Sequence, residues 1–216
     1  MNLLHAIHHP AGDGPHPTIV ALHGYGASAH DLLGLAPHLL GGRALVIAPQ
    51  GPLEVALDPE GRFRGYAWFP LTLSRPPTPA DVAAGIGAAR DFLELALKRY
   101  PVDPKRLAIL GFSQGGMVAY ALALGAPHRF RALAALSTWL PDDLNQSLKA
   151  DASGLAAWVQ HGTRDEIVAV SRGRDSKAKL EARGVPLTYR EYEMGHEITA
   201  ESLGDLAAWL DERLNT

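Results

Sequence analysis

Short apolar runs alternate with longer amphipathic segments along the chain, and this alternation constrains the fold more than any other feature of the sequence. The apolar runs are too short for helices and are bounded by turn residues, so they are predicted to be strands. They cover residues 18–22, 44–48, 107–110, 132–136, 156–160 and 187–192. Because their apolar character is continuous, both faces of each strand should be covered, which is typical of a parallel sheet.

Helix-length segments lie between these runs. Helices are predicted over residues 31–40, 79–100, 114–124, 168–183 and 199–214. Thr78 followed by Pro79 is a typical helix start, because threonine caps free N–H groups and proline fits the first helical position. Repeated strand–helix–strand order predicts an α/β fold, a mostly parallel doubly wound sheet with helices on both faces. Residues 3–9 are expected to add an antiparallel edge strand.

Residues 50–77 interrupt the alternation. This segment is rich in proline and glycine but also contains Tyr66, Trp68 and Phe69. A long irregular segment in a compact domain is usually functional or disordered, and the aromatic content favours order. The sequence shows no repeat, low-complexity tract or linker, so residues 1–216 are predicted to form a single domain.

Composition excludes several classes of function. The net charge is −3 and no basic stripe is present, so a nucleic-acid partner is not expected. Cysteine is absent, which removes disulfides, thiolate zinc sites and a cysteine nucleophile. No apolar run approaches the ~18 residues of a membrane span, and no secretory leader is recognisable. We therefore expect a cytoplasmic protein without a metal or other cofactor.

The segment Gly111-Phe112-Ser113-Gln114-Gly115 has the G-x-S-x-G pattern of a nucleophile elbow. A serine on a tight strand-to-helix turn needs glycine two residues before and after it, because side chains there would collide. The pattern alone is weak in a chain with 22 glycines. Its position between a predicted strand and a predicted helix makes it specific, and Ser113 is the predicted nucleophile.

An elbow serine requires a histidine base later in the chain and an acid between the two. His196 is the only histidine after His161, and it follows the last predicted strand. Among the intervening carboxylates, Asp165 follows the strand at 156–160 and should reach the carboxyl edge of the sheet. The competing acids have less suitable positions: Asp142 and Asp143 lie in a polar stretch and Asp175 lies in a charged helix. Asp165 is therefore the predicted acid, which would fix the tautomer of His196.

The same chemistry needs two N–H donors for the oxyanion of the tetrahedral intermediate. One is expected from Gln114, directly after the nucleophile, and the other from the loop after the strand at 18–22. That loop has the sequence His23-Gly24-Tyr25-Gly26, and its glycines allow close approach to a substrate. We predict the backbone N–H of Tyr25 as the second donor.

Several sequence blocks in one order resemble the phospholipase/carboxylesterase family of α/β hydrolases, which includes acyl-protein thioesterases and small bacterial esterases. These blocks are Leu22-His23-Gly24-Tyr25-Gly26, Ala48-Pro49-Gln50-Gly51-Pro52, the elbow, His161-Gly162-Thr163-Arg164-Asp165-Glu166 and Met194-Gly195-His196-Glu197. The resemblance implies an α/β-hydrolase fold, no cofactor, and action on short- to medium-chain acyl esters. It assigns the same triad and the same oxyanion donors. Pro70 follows Trp68-Phe69 where the family often has aspartate, so the local loop is expected to differ.

Apolar residues near the predicted catalytic edge are candidates for binding the acyl chain of a small-molecule ester. They are Trp68, Phe69, Leu71, Trp139 and Ile167. The same residues would equally form a hydrophobic cluster that fixes the long loop, or a homodimer contact. Two functional alternatives to a carboxylesterase stay open: an acyl (protein) thioesterase or lysophospholipase, and a non-catalytic ligand-binding module on the same fold.

Overall fold

The computed structural model describes residues 3–71, 77–148 and 151–215. Its main sheet has seven strands in the order β1-β3-β2-β6-β7-β8-β9. These strands are β1 His5–His8, β2 His16–Leu22, β3 Leu45–Pro49, β6 Val102–Phe112, β7 Ala132–Leu136, β8 Ala156–Gly162 and β9 Leu187–Tyr192. The edge strand β1 is antiparallel to β3, with Ile7 opposite Ile47, and every other pairing in this sheet is parallel. The predicted α/β class and the antiparallel edge strand are confirmed.

Six α-helices accompany the sheet in the described part of the chain. They are α1 Ala29–Leu33, α2 Pro79–Arg99, α3 Gln114–Gly125, α4 Asp142–Ser147, α5 Val170–Ala182 and α6 Ala200–Leu214. The predicted start of α2 is confirmed: the Thr78 side chain accepts the N–H of Asp81, and the Asp81 side chain accepts the N–H of Thr78. No described helix has the length and apolarity needed to cross a membrane.

The core lies on both faces of the sheet because successive strand residues point in opposite directions. On one face, Leu22 and Ile109 pack in a cluster that includes Phe92 of α2 and residues of α3 and α5. On the other face, Ile19 and Leu110 pack in a cluster with residues of α1 and α6. Helices on both faces explain why the central strands are largely apolar, whereas the edge strand β9 contains the exposed Arg190 and is covered less completely than expected.

One predicted helix is shorter in the structure, and one helix was not predicted. The helix expected over residues 31–40 is confined to α1, which ends at Leu33, and Leu40 adopts a left-handed φ of 51°. Pro37 lacks an N–H and disfavours helical geometry in the residue before it, so turns replace the rest of the helix. The six-residue helix α4 was not predicted, because its sequence is polar and short.

The segment 50–77 is also more regular than expected. It contains an antiparallel hairpin of β4 Leu53–Ala56 and β5 Arg64–Ala67, which forms a separate two-stranded sheet. Tyr66 of β5 pairs with Ala27 in an isolated bridge, so the hairpin rests against the loop after β2. The hairpin thus connects the long segment to the predicted oxyanion loop.

Candidate active site

Ser113 occupies a sharp turn between the end of β6 and the start of α3. Its φ of 51° and ψ of −119° are unusual for a residue with a side chain. The N–H of Ser113 donates to the Leu136 carbonyl at 2.9 Å, and its carbonyl accepts the N–H of Gly116 at 2.9 Å and the Thr138 hydroxyl at 2.7 Å. These bonds from two neighbouring segments hold the strained backbone in place.

Glycines around the serine are required by close backbone contacts. A Cβ built on Gly111 would lie 2.4 Å from the Gly115 carbonyl oxygen, and one on Gly115 would lie 2.1 Å from the Leu22 oxygen. The contact at Gly115 brings α3 against the end of β2, where the predicted oxyanion loop begins. A Cβ on Gly24 would lie 3.3 Å from the Ser113 Cβ, which places that loop directly beside the serine.

The predicted acid and base are in contact. Asp165 lies in the loop after β8, and His196 lies in the loop after β9. The Nδ1 atom of His196 is 2.8 Å from Oδ2 of Asp165. The other oxygen, Oδ1, accepts the N–H groups of Ile167 at 3.0 Å and Val168 at 2.8 Å. The Asp165 side chain is fully buried, whereas that of His196 is 17% exposed. A carboxylate that only accepts requires the proton on Nδ1, which leaves the Nε2 lone pair of a neutral imidazole free to accept a proton.

His23 fixes the shape of the predicted oxyanion loop. Its Nε2 accepts the N–H of Gly51 at 2.9 Å, so the proton is on Nδ1, which donates to the Gly24 carbonyl at 2.7 Å. Burial lowers the pKa of the imidazole below its ordinary value, although the Gly24 hydrogen bond and the charge of Asp31 oppose this shift. A buried, neutral His23 therefore joins this loop to the segment after β3.

Hydrogen bonds to the hairpin hold the other side of the loop. The N–H of Gly26 donates to the Tyr66 carbonyl at 2.9 Å, and the N–H of Tyr66 donates to the Ala27 carbonyl at 2.8 Å. The N–H of Ala27 is within 3.3 Å of the Gly24 carbonyl. The N–H of Tyr25 has no acceptor in the parts of the chain that the structure describes. The N–H of Tyr25 is therefore available to a ligand.

Gln114 has two connections at the site. It is the first residue of α3, where backbone N–H groups have no partner within the helix. Its buried side chain accepts the N–H of Trp68 at 2.8 Å and donates to the Phe69 carbonyl at 2.8 Å. The indole N–H of Trp68 donates in turn to the His23 carbonyl at 2.9 Å. The segment after β5 is thus tied to Gln114 and to His23, the first residue of the predicted oxyanion loop.

Ser113 and His196 line the same cleft, which has a volume of about 410 Å³. Tyr25 contributes to its polar side, and Asp31 and Glu197 are its acidic residues. Its apolar wall was not predicted from the sequence and consists of Leu32, Leu35, Phe112 and Ile198. Leu32 and Leu35 lay within the predicted first helix, which was too long. Ile198 lies two residues after the predicted base, and this closeness in sequence to His196 was the only signal that could have identified a wall residue.

The predicted acyl-binding residues separate into three groups. Trp68 and Phe69 are each only 1% exposed and belong to a core cluster, which matches the alternative of a hydrophobic cluster, and neither lines the cleft of Ser113 and His196. Ile167 is 74% exposed and lies outside the lining of the cleft, as does the exposed Leu71. Trp139 lines a second cleft of about 200 Å³ with Phe69 and Met117.

Metal binding has no support from side-chain geometry. Among the described residues, no three His, Asp or Glu side chains are placed to share an ion.

Thr138 was not predicted, although its hydroxyl holds the Ser113 carbonyl and its side chain contacts Gly116. Its role depends on a contact between distant segments, for which the sequence gives no signal.

Comparison with known proteins places this geometry in context. A family model described as phospholipase/carboxylesterase matches residues 5–214. A probable carboxylesterase SOBER1-like of Arabidopsis thaliana is 26% identical over 158 residues, which is 69% of this chain and 60% of that protein. An acyl-protein thioesterase 1 of Mycosarcoma maydis is 25% identical over 94% of this chain and 93% of its own.

A crystal structure of esterase PE8 is similar over 99% of this chain and 100% of its own, with a TM-score of 0.85 and 27% identity. The match spans 60% of the SOBER1-like relative and about half of three other curated relatives. The family model nevertheless covers nearly all of the sequence, including the elbow and the loops that carry Asp165 and His196. The chain belongs to the phospholipase/carboxylesterase family of α/β hydrolases.

Proposed function

We propose that the protein is a serine carboxylesterase that hydrolyses short- to medium-chain acyl esters through an acyl-enzyme intermediate. Ser113 is the nucleophile, His196 the base and Asp165 the acid that orients it. The observation that carries this proposal is the 2.8 Å contact between His196 and Asp165, with His196 and the elbow serine lining one cleft.

In the proposed first step, the Ser113 hydroxyl attacks the ester carbonyl carbon while its proton passes to Nε2 of His196. The buried Asp165 carboxylate stabilises the imidazolium that forms. The N–H groups of Tyr25 and Gln114 bind the oxyanion, and each such donor contributes about 2.7–4 kcal/mol to the transition state. The start of α3 adds a favourable field for the negative charge.

In the proposed second half, the imidazolium gives its proton to the leaving alcohol and the carbonyl re-forms as the Ser113 ester. Water then attacks this ester while His196 takes its proton, and the imidazolium returns that proton to the Ser113 oxygen as the free acid is released. The apolar residues Leu32, Leu35 and Ile198 supply a surface for the alkyl part of the substrate. The size of the cleft supports a small ester rather than a large polymer.

A thioesterase is the second candidate function, because an acyl-protein thioesterase matches this chain along most of both lengths. The same residues would act on a thioester carbonyl. Comparing kcat/KM for p-nitrophenyl butyrate and for butyryl-CoA separates the two: the carboxylesterase proposal expects the oxygen ester to be preferred. A cytoplasmic location and a homodimer remain predictions from the sequence.

Labelling with a fluorophosphonate tests the nucleophile. Peptide mass spectrometry should find the adduct on Ser113 in the wild-type protein and no adduct in Ser113→Ala. Ser137→Ala is a matched control, because Ser137 also has a left-handed φ, of 47°, and follows the neighbouring strand β7. Labelling that persists in Ser113→Ala, or that is lost in folded Ser137→Ala, would contradict the assignment.

A further inference from the structure

His161 is a wholly buried titratable residue that the proposed reaction does not use. It lies near the end of β8, and its Nε2 is 2.7 Å from the Val168 carbonyl oxygen. A carbonyl only accepts, so Nε2 carries the proton. The other ring nitrogen, Nδ1, has no hydrogen-bond partner in the described part of the chain. The ring orientation is therefore defined by the bond from Nε2 to Val168.

The ring nitrogen that donates to the Val168 carbonyl also lies near the predicted acid. Nε2 of His161 is 3.4 Å from Oδ2 of Asp165, and this is the oxygen that contacts His196. Oδ1 is already bound by two backbone N–H groups of the following turn. His161 is thus the side chain that approaches Oδ2 from the strand, while His196 approaches it from the cleft.

Packing leaves the His161 ring little freedom. A Cβ built on Gly173 of α5 would lie only 2.6 Å from Nδ1, so the helix presses against the ring on the side away from Val168. Strand β8 is paired with β7 and β9, which makes the residue that carries the ring rigid. The ring closes the loop from His161 to Val168 around the Asp165 carboxylate.

We propose that His161 is a positioning residue: through its hydrogen bond to Val168 and its close contact with Oδ2, it holds the Asp165 carboxylate in the orientation that binds His196. The inference rests on the proposed function, because its effect on the reaction passes through Asp165 and His196. A displaced carboxylate would leave the imidazole free to rotate, and a misplacement of about 1 Å at a reacting group costs roughly 100-fold in rate.

Two variants of nearly equal shape isolate the N–H. His161→Met removes the donor, and His161→Gln keeps an N–H at a similar reach. We expect kcat for p-nitrophenyl butyrate to fall about ten- to 100-fold in His161→Met, with KM within about twofold, and to recover largely in His161→Gln. Assays are run well below the unfolding temperature of each variant. Equal kcat in folded His161→Met and wild type would overturn the proposal.

A double-mutant cycle shows whether the effect passes through Asp165. In an Asp165→Asn background, adding His161→Met should lower kcat by less than about a further twofold. If the two residues acted independently, the two losses in kcat would multiply. Gln160→Leu is the matched control, since Gln160 is equally buried on β8 but bonds to Trp158; its kcat should match wild type. A loss in Gln160→Leu as large as that in His161→Met would indicate a general strand defect and overturn the positioning role.

Gly173→Ala covers the case in which His161→Met does not fold. The added methyl group at residue 173 must displace the His161 ring, whose nitrogen atoms stay unchanged. We therefore expect kcat to fall and KM to be retained, and an unchanged kcat would reject the proposal. Failure of the proposed function has a different signature: wild-type protein that does not hydrolyse the ester, or Ser113→Ala that does.

Discussion

Gly65→Ala is predicted to impair catalysis from a residue outside the cleft. Gly65 lies in β5, where a Cβ would be 1.8 Å from the Gly26 carbonyl oxygen and 2.3 Å from its carbon. Backbone atoms cannot yield as a flexible side chain would, so Gly26 or the hairpin must move by more than about 1 Å. The hairpin is restrained through Trp68, whose two N–H groups donate to Gln114 and His23. The displacement should therefore reach the loop of Tyr25.

The size of the effect follows from the predicted role of that loop. Misplacing or losing one oxyanion donor lowers kcat by about 10²- to 10³-fold, so we expect Gly65→Ala to reduce kcat/KM for p-nitrophenyl butyrate about 100-fold. Overpacking should cost about 1–3 kcal/mol of stability, which leaves the protein folded in an assay at room temperature.

Gly61→Asn is the matched control in the same hairpin. Gly61 has a φ of 65°, which asparagine tolerates, and the nearest atom to its built Cβ is 4.0 Å away, at the end of the Arg64 side chain. Its kcat/KM should stay within about twofold of wild type. A folded Gly65→Ala protein with kcat/KM within about threefold of wild type would refute the argument that the hairpin positions the oxyanion loop.

Two further predictions concern the serine and the buried His23. Ser113→Gly should abolish turnover but raise the unfolding temperature by a few degrees in calorimetry, because glycine relieves the strain of about 1–3 kcal/mol at a φ of 51°; a lower unfolding temperature would count against stored strain. Since burial lowers the pKa of His23, the unfolded chain binds a proton there below about pH 6.5 that the folded protein does not, so the unfolding free energy should fall with decreasing pH. Urea unfolding at several pH values should show a smaller pH dependence in His23→Gln than in wild type, and equal slopes would contradict this.

The sequence could predict the placement of the site because its signals are local. Each of Ser113, Asp165 and His196 follows a predicted strand, and the carboxyl ends of parallel strands meet at one edge of the sheet. Glycine spacing around Ser113 reflects contacts between residues that are close in the chain. Strand positions and the capped start of α2 were predictable for the same reason.

Long-range packing could not be predicted in this way. An aromatic-rich segment beside a site has the same composition whether its side chains face a substrate or the core. The burial of Trp68 depends on its bonds to His23 and Gln114. The end of α1 at Leu33 and the bond from Thr138 to the Ser113 carbonyl depend on the arrangement of separate segments. Apolarity and helical periodicity contain no information about these contacts.

Direct trapping of the acyl-enzyme tests the central claim. Wild-type protein mixed with p-nitrophenyl butyrate and quenched with acid within milliseconds should contain a butyryl group on the peptide of Ser113, by mass spectrometry. The adduct should be absent in Ser113→Ala and should form far more slowly in His196→Ala, which lacks the base. Substrate turnover by wild-type protein with the acyl group on another residue, or equally fast acylation in His196→Ala, would contradict the account.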